Sequence, residues 1–202
     1  MTSRDLVLWT ARKAHDGVPF ADPYLSALPG VGSHALYRNF LFWVVRIIPP
    51  PKVIVELGTD TGVTTAHMAM AAGSIKDMVI SVDIDTSLRI IENVAGAFGR
   101  DVRATFVGAD SLDFLRSYSG SPIALAYLDT DHSYERVSEE FRLVKPMMAE
   151  GGIVCVDDIL LHEGMRRFWD EVREEKLDLS ELHTQLQAPH LPRGTGFGVI
   201  LP

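Results

Sequence analysis

The sequence predicts an α/β fold: a mostly parallel seven-stranded sheet with an antiparallel last strand and helices on both faces. Three observations carry that prediction. Short β-branched apolar runs alternate with stretches of helical periodicity, the order that builds a parallel sheet from strand–helix–strand crossovers. The runs at 53–57, 78–82, 123–128 and 152–156 each break into a glycine turn or an aspartate, as strands do when their tips line a ligand crevice. A length of 202 residues suits one such core and leaves little for a second, so residues 1–202 are read as one domain, with a helical cap over 1–50 and the core over 51–202.

In chain order, Leu6 to Trp9 opens a short helix, and Pro19, Pro23, Pro29, Gly30 and Gly32 punctuate a loop. Leu36, Phe40, Trp43, Val44, Ile47 and Ile48 recur at helical spacing behind a capping Ser33, and Pro49 to Pro51 stop that helix, which is expected beside the first strand. Residues 53–57 form that strand and 63–70 the next helix. The second strand, 78–82, ends at Asp83, and Asp85 or Thr86 caps a helix over 87–98. The third strand, 103–107, leads through Asp110 to a helix over 112–117. Strands four (123–128) and five (152–156) flank an amphipathic helix over 134–144, with Asp131 as its N-cap, which makes them parallel and adjacent. A helix over 164–175 carries the stripe Met165, Phe168, Trp169 and Val172. Residues 182–186 and 196–201 are expected to close the sheet as an antiparallel pair.

The turn after the first strand, Glu56-Leu57-Gly58-Thr59-Asp60-Thr61-Gly62, narrows the ligand. Only three residues separate Gly58 from Gly62, and Val63 follows, so this is not a Walker loop. Asp60 stands where a dinucleotide fingerprint has its second glycine, and a carboxylate there suits a pyrophosphate poorly. A nucleoside without phosphates remains. This motif resembles the first motif of class I S-adenosylmethionine-dependent methyltransferases, which implies a Rossmann-like fold and S-adenosylmethionine as cofactor.

The other strand tips supply polar groups. Asp83, directly after the second strand, is the candidate for the ribose hydroxyls, with Asp85 as the alternative that simply caps a helix. Asp110 can hold the adenine amino group or cap its own helix. Asp129, Asp157 and Asp158 at the fourth and fifth tips would repel one another unless a cation or protons intervened. A hard divalent ion, Mg2+ or Mn2+, answers that requirement with oxygen ligands and would acidify a substrate hydroxyl. His132 is the candidate general base, against the reading in which it only opens the next helix. His162, His190 and Arg193 are further candidates for substrate contact, the last two on a loop that equally reads as a proline-rich surface segment.

Two related groups share these patterns. The glycine motif with Thr64, Met68 and Ala69 is similar to catechol O-methyltransferase and its cation-dependent relatives. Asp129-Thr130-Asp131-His132-Ser133-Tyr134-Glu135 resembles the family of macrocin O-methyltransferase and the cephalosporin hydroxylases. The resemblance spans residues 50 to 160. It implies metal-ligand positions for Asp129, Asp157 and Asp158, with Asp158 where the catechol enzymes have asparagine and His132 where they have a catalytic lysine. It also implies that Glu56, Gly58, Asp60, Gly62 and Thr64 surround the methionine part, with Asp83 on ribose, Asp110 near adenine and Asp129 touching the cofactor as well as taking part in catalysis.

The expected activity is therefore cation-assisted O-methylation of a hydroxyl on a small molecule, such as a sugar or other hydroxylated natural product. The alternatives are a metal-independent small-molecule methyltransferase and a non-catalytic S-adenosylmethionine-binding protein; a nicotinamide oxidoreductase is disfavoured by Asp60. A net charge of −8 and a pI near 5.3 argue against nucleic acid as a partner. The lone Cys155 and the absence of an apolar signal stretch in residues 1–5 predict a cytoplasmic protein. The stretch 40–51 is too short and too interrupted to span a membrane. A homo-oligomer stays open.

Overall fold

The computed structural model describes residues 2–14, 35–85, 104–180 and 195–202. Seven strands form one sheet: β1 (Val53–Leu57), β2 (Met78–Asp83), β3 (Ala104–Gly108), β4 (Ile123–Leu128), β5 (Met148–Asp157), β6 (Glu175–Asp178) and β7 (Phe197–Leu201), in the order β3-β2-β1-β4-β5-β7-β6. Strands β1 to β5 pair in parallel, and β7 runs antiparallel to both β5 and β6. The expected architecture is thus observed. The order reverses between β1 and β4, so the tips of β1, β2 and β4 open one crevice.

Successive residues of a strand point to opposite faces, and both faces are covered. On one side α1 (Ser3–Ala14), α2 (Ala35–Ile47) and α3 (Val63–Ala71) pack against Ile54, Val79, Leu125, Tyr127 and Ile153. On the other, α4 (Ser111–Ser117), α5 (Tyr134–Val144) and α6 (Glu163–Glu171) cover Val55, Ile80, Ala126, Val154 and Val156. No helix among the described residues is long and apolar enough to cross a membrane.

Three elements depart from expectation. Helix α1, expected as a short helix opening at Leu6, starts at Ser3 and runs for 12 residues, because Val7, Ala11 and Ala14 present small buried side chains at i, i+4 and i+7, and Thr10 between them turns its hydroxyl to the Leu6 carbonyl. In α2 the buried face is Phe40, Leu41, Val44 and Val45, with Trp43 and Ile48 at its margin; the helix lies between α1 and α3 and needs apolar residues on both flanks. Helix α6 ends at Glu171 instead of 175. Lys176 donates to the Trp169 and Val172 carbonyls, capping that helix from the strand that follows. The strand predicted at 182–186 lies outside the described residues; the partner of β7 is Glu175–Asp178.

Candidate active site

The glycine turn after β1 is held by its neighbours before any ligand is considered. Gly58 has φ +93°, and a Cβ built there would stand 1.8 Å from the Asp129 carbonyl oxygen. What approaches this glycine is the backbone at the tip of β4, where sequence reasoning expected a ligand. Asp129 N donates to the Leu57 carbonyl at 2.8 Å and Gly58 N to Val82 at 2.9 Å, so three strand tips are tied at one point. Gly62, at φ 70°, is the N-cap of α3 with no side-chain cap.

Asp83 ties down the same loop. Its Oδ2 accepts from Thr59 N (2.8 Å) and Asp60 N (3.1 Å), and its Oδ1 from Asp85 N (2.9 Å). Glu56 takes another direction. It is fully buried and in register with Ser81 on β2 and Tyr127 on β4, so it faces the layer of α3. It accepts from Ser81 Oγ at 2.5 Å and from Thr65 Oγ1. Burial pushes its pKa up to about 8, and the carboxyl serves as a proton-holding core group beneath the loop. Thr64 is half-buried on α3; its neighbour Thr65 makes the contact to Glu56.

Above this turn lies a cavity of about 400 Å3. Of the expected residues it gathers Gly58, Asp60, Asp83, Asp110 and Asp129; Glu56, Gly62 and Thr64 are not in its wall. Among the described residues the lining holds six aspartates, the others being Asp85 and Asp131, against one cation, Arg136. Asp110 is the N-cap of α4, its Oδ1 accepting from Leu112 N (2.9 Å) and Asp113 N (3.4 Å). It is also paired with Arg136 Nη1 at 2.8 Å. Burial raises its pKa and the contacts from Arg136 and the two amides, which prevail, hold it below the ordinary carboxylate value. Asp131 does not cap α5: Ser133 does, through its Oγ to Arg136 N (3.2 Å), and Asp131 closes the preceding turn on Ser133 N (2.8 Å).

Beside the cavity the structure brings together Asp129, His132, Asp157 and Asp158. The Tyr127 hydroxyl lies 2.9 Å from Asp129 Oδ2 and 3.1 Å from Asp157 Oδ2. His132 Nε2 lies 3.2 Å from Asp129 Oδ1 and 3.6 Å from Asp158 Oδ2, as an ion pair rather than an aligned hydrogen bond. Contact with Asp129 raises the His132 pKa above its ordinary value; burial opposes this, and the charges of Asp129, Asp158 and Asp157 reinforce it. Burial, then the charges of Asp129 and Asp158, push Asp157 up to about 7. Asp60 (φ 42°), His132 (59°) and Asp158 (57°) are the non-glycine residues of positive φ among those described, and all three stand at these strand tips. Left-handed backbone in residues with a Cβ is costly and is retained where surrounding structure enforces it.

These carboxylates do not form the expected ligand set. Among the described residues no group of three or more His, Cys, Asp or Glu side chains is arranged to hold a metal ion. The phenol of Tyr127 sits between Asp129 and Asp157, and the imidazole of His132 between Asp129 and Asp158. Hydrogen bonding and a protonatable ring thus relieve the repulsion for which sequence reasoning invoked a cation. His162 is exposed and caps α6, its Nδ1 accepting from Gly164 N at 3.1 Å. His190 and Arg193 lie outside the described residues. Sequence reasoning missed Tyr127 and Arg136: one reads as an inward strand residue, the other as a solvent-facing helix charge.

A family model described as a methyltransferase domain matches residues 55–159, just over half of the chain. The chain belongs to this methyltransferase family. Solved structures agree in fold with this S-adenosylmethionine-dependent methyltransferase. The O-methyltransferase TomG from Streptomyces achromogenes, involved in tomaymycin synthesis and bound to S-adenosylmethionine, is 19% identical with a TM-score of 0.66, over 96% of this chain and 88% of that one. The O-methyltransferase from Bacillus cereus in complex with S-adenosylhomocysteine is 16% identical, TM-score 0.63, over 96% and 90%. CalS11, a TDP-rhamnose 3'-O-methyltransferase of calicheamicin biosynthesis, is 16% identical, TM-score 0.61, over 98% and 93%. No curated protein matches the sequence.

Proposed function

We propose that this methyltransferase transfers the methyl group of S-adenosylmethionine to a hydroxyl oxygen of a small molecule, with His132 as the base. The observation that carries the reading is the double membership of Asp129, which lines the cavity and contacts both His132 and Tyr127. A donor bound in the cavity then meets an acceptor held at His132. The aspartate-rich lining suits a sulfonium cation and repels phosphates. In this reading Gly58 and Asp60 lie along the methionine part, the remaining lone pair of Asp83 Oδ1 takes a ribose hydroxyl, and Asp110 faces the base.

In the reaction the acceptor oxygen attacks the methyl carbon, the carbon–sulfur bond breaks, and the sulfonium becomes a neutral thioether. The hydroxyl proton passes to the His132 imidazole, and Asp129 and Asp158, whose carboxylates flank its Nε2, stabilise the imidazolium. Because the His132 pKa lies above its ordinary value, the ring is unprotonated, and able to act, only towards higher pH. Two similar structures, a TDP-rhamnose 3'-O-methyltransferase and an O-methyltransferase of tomaymycin synthesis, support a hydroxylated natural product as acceptor.

Divalent-ion assistance by Mg2+ or Mn2+ is the second reading, favoured by Asp158 Oδ1, which is buried without a hydrogen-bond partner. Against it, the arrangement around Tyr127 and His132 does not fit a ligand set among the described residues. Calorimetry with S-adenosylmethionine and S-adenosylhomocysteine, followed by methyl transfer to a panel of hydroxyl acceptors in EDTA, tests both. Expected are binding of both nucleosides, turnover that survives EDTA, and a loss on the order of 10²- to 10⁴-fold in His132→Gln. Binding of neither nucleoside overturns the cofactor assignment. Turnover lost in EDTA and restored by Mg2+ in the unaltered protein, but not restored in Asp157→Ala, establishes the second reading instead.

A further inference from the structure

We propose that Arg136 reads the base of the bound nucleoside, donating from the free edge of its guanidinium to a ring nitrogen of adenine. The inference deepens the cofactor reading above and rests on it. Arg136, in the first turn of α5, is the cation in the cavity wall among the described residues, with its side chain 26% exposed. Its Nη1 donates to Asp110 Oδ1 (3.0 Å) and Oδ2 (2.8 Å) and reaches Ser111 Oγ (3.3 Å), while Nε lies 3.6 Å from Asp131 Oδ2. Among the described residues none accepts from Nη2, which leaves its two N–H groups turned to the cavity side of the pair.

Asp110 offers the complement. Its Oδ1 is taken by two backbone amides and Arg136, but its Oδ2 accepts only from Arg136, so one lone pair stays open. An open acceptor and two open donors therefore stand side by side in the wall. Adenine presents an amino donor flanked by ring-nitrogen acceptors, which matches that pattern. A 6-oxo purine would turn a carbonyl oxygen towards the Asp110 carboxylate and be rejected.

The wall is also braced from below. Glu140 on α5 is fully buried and accepts from Ser111 Oγ at 2.5 Å and Thr130 Oγ1 at 3.0 Å. Ser111 and Thr130 both line the cavity, so one buried carboxylate anchors the α4 and β4 sides of the base site to the helix that carries Arg136. Glu140 is a positioning residue, and it keeps the paired groups at fixed separation.

A chemical double-mutant cycle tests this directly. Affinities are measured by calorimetry for S-adenosylhomocysteine, its 1-deaza and 7-deaza analogues, and S-inosylhomocysteine, on the unaltered protein, on Arg136→Met, and on Arg136→Lys, which keeps the charge but loses the fork. The expected result is a loss of about tenfold to a hundredfold for one deaza analogue and for the inosine analogue on the unaltered protein. On both variants the deaza penalty should shrink to about twofold or less, while the inosine penalty, which Asp110 sets, should persist. S-adenosylhomocysteine that binds with undiminished deaza penalties in the variants, or with none in the unaltered protein, overturns the role of Arg136 while leaving the cofactor reading intact. Failure of the unaltered protein to bind S-adenosylhomocysteine overturns both. The analogue series on the unaltered protein keeps the test decisive if a variant does not fold.

Discussion

Replacing Gly58 by alanine should disable this protein through the backbone of Asp129. The new Cβ would stand 1.8 Å from the Asp129 carbonyl oxygen and 2.6 Å from its carbonyl carbon. Reaching ordinary contact requires an opening of roughly 1.4 Å. Asp129 N is bound to Leu57 O and Gly58 N to Val82 O, so the movement strains two bonds, each contributing about 1 kcal/mol. An alanine at φ +93° adds ~1–2 kcal/mol. The sum, ~3–4 kcal/mol, corresponds to a fall in Tm of roughly 6–16 °C for a chain of this size. Because Asp129 carries the contacts to Tyr127 and His132, a displacement above 1 Å should also cost on the order of 10²-fold in kcat. Gly62→Ala is the comparison: φ 70° gives it the conformational cost alone, ~1–2 kcal/mol. Urea denaturation and turnover of Gly58→Ala are the assays. A variant within ~1 kcal/mol of the unaltered protein, with unchanged kcat, refutes the claim that the β4 backbone makes this glycine necessary.

Three further outcomes are expected. Burial holds the Glu140 pKa at about 7 against an ordinary 4.5; a carboxyl raised on folding binds its proton more tightly in the native state, so stability falls as pH rises between those values, by about 3 kcal/mol in all. Glu140→Gln should lessen the fall of urea-derived stability between pH 5 and 7, leaving the part due to Glu56 and Asp157, and an unaltered slope rules the effect out. Tyr127→Phe removes the hydroxyl shared by Asp129 and Asp157; a stability loss of ~1.5–3 kcal/mol and a lower kcat at similar KM are expected, and the idea fails if both parameters match those of the unaltered protein. Lys52 and Asp77 form a pair 3.5 Å apart with side chains 3% and 1% exposed; Lys52→Met should cost ~3–5 kcal/mol, and adding Asp77→Leu should recover most of it. Simple additivity in denaturation would show that the pair is not coupled.

The parts of this fold that were readable share a local signal. Strands β1 and β4 and helix α5 lie where their apolar runs and the Lys145-Pro146 stop put them, although Ser133 rather than the expected Asp131 caps α5. Strand β6 was not readable: Glu-Lys-Leu-Asp has no alternation of its own and is extended because β7 pairs with it. The aspartates at the tips of β2, β4 and β5 were foreseeable from position alone, but their wiring was not. Tyr127 reaches Asp157 across 30 positions and Arg136 reaches Asp110 across 26, and nothing in either residue's neighbourhood announces that. The direction of Glu56 was not readable either: one place from the strand tip, it faces a helix layer and takes the Thr65 and Ser81 hydroxyls.

The placement of β7 between β5 and β6 has a consequence for synthesis on the ribosome. Residues 175–178 emerge with no strand to join, and the outer edge of β5 stays unpaired until residues 197–201 follow. Phe197, stacked on Tyr37 and set against Phe40 and Tyr127, arrives in the same stretch, so the aromatic core and the last sheet edge close together. A nascent chain stalled between 179 and 196 would expose a hydrophobic strand edge of the kind that chaperones hold and aggregates recruit.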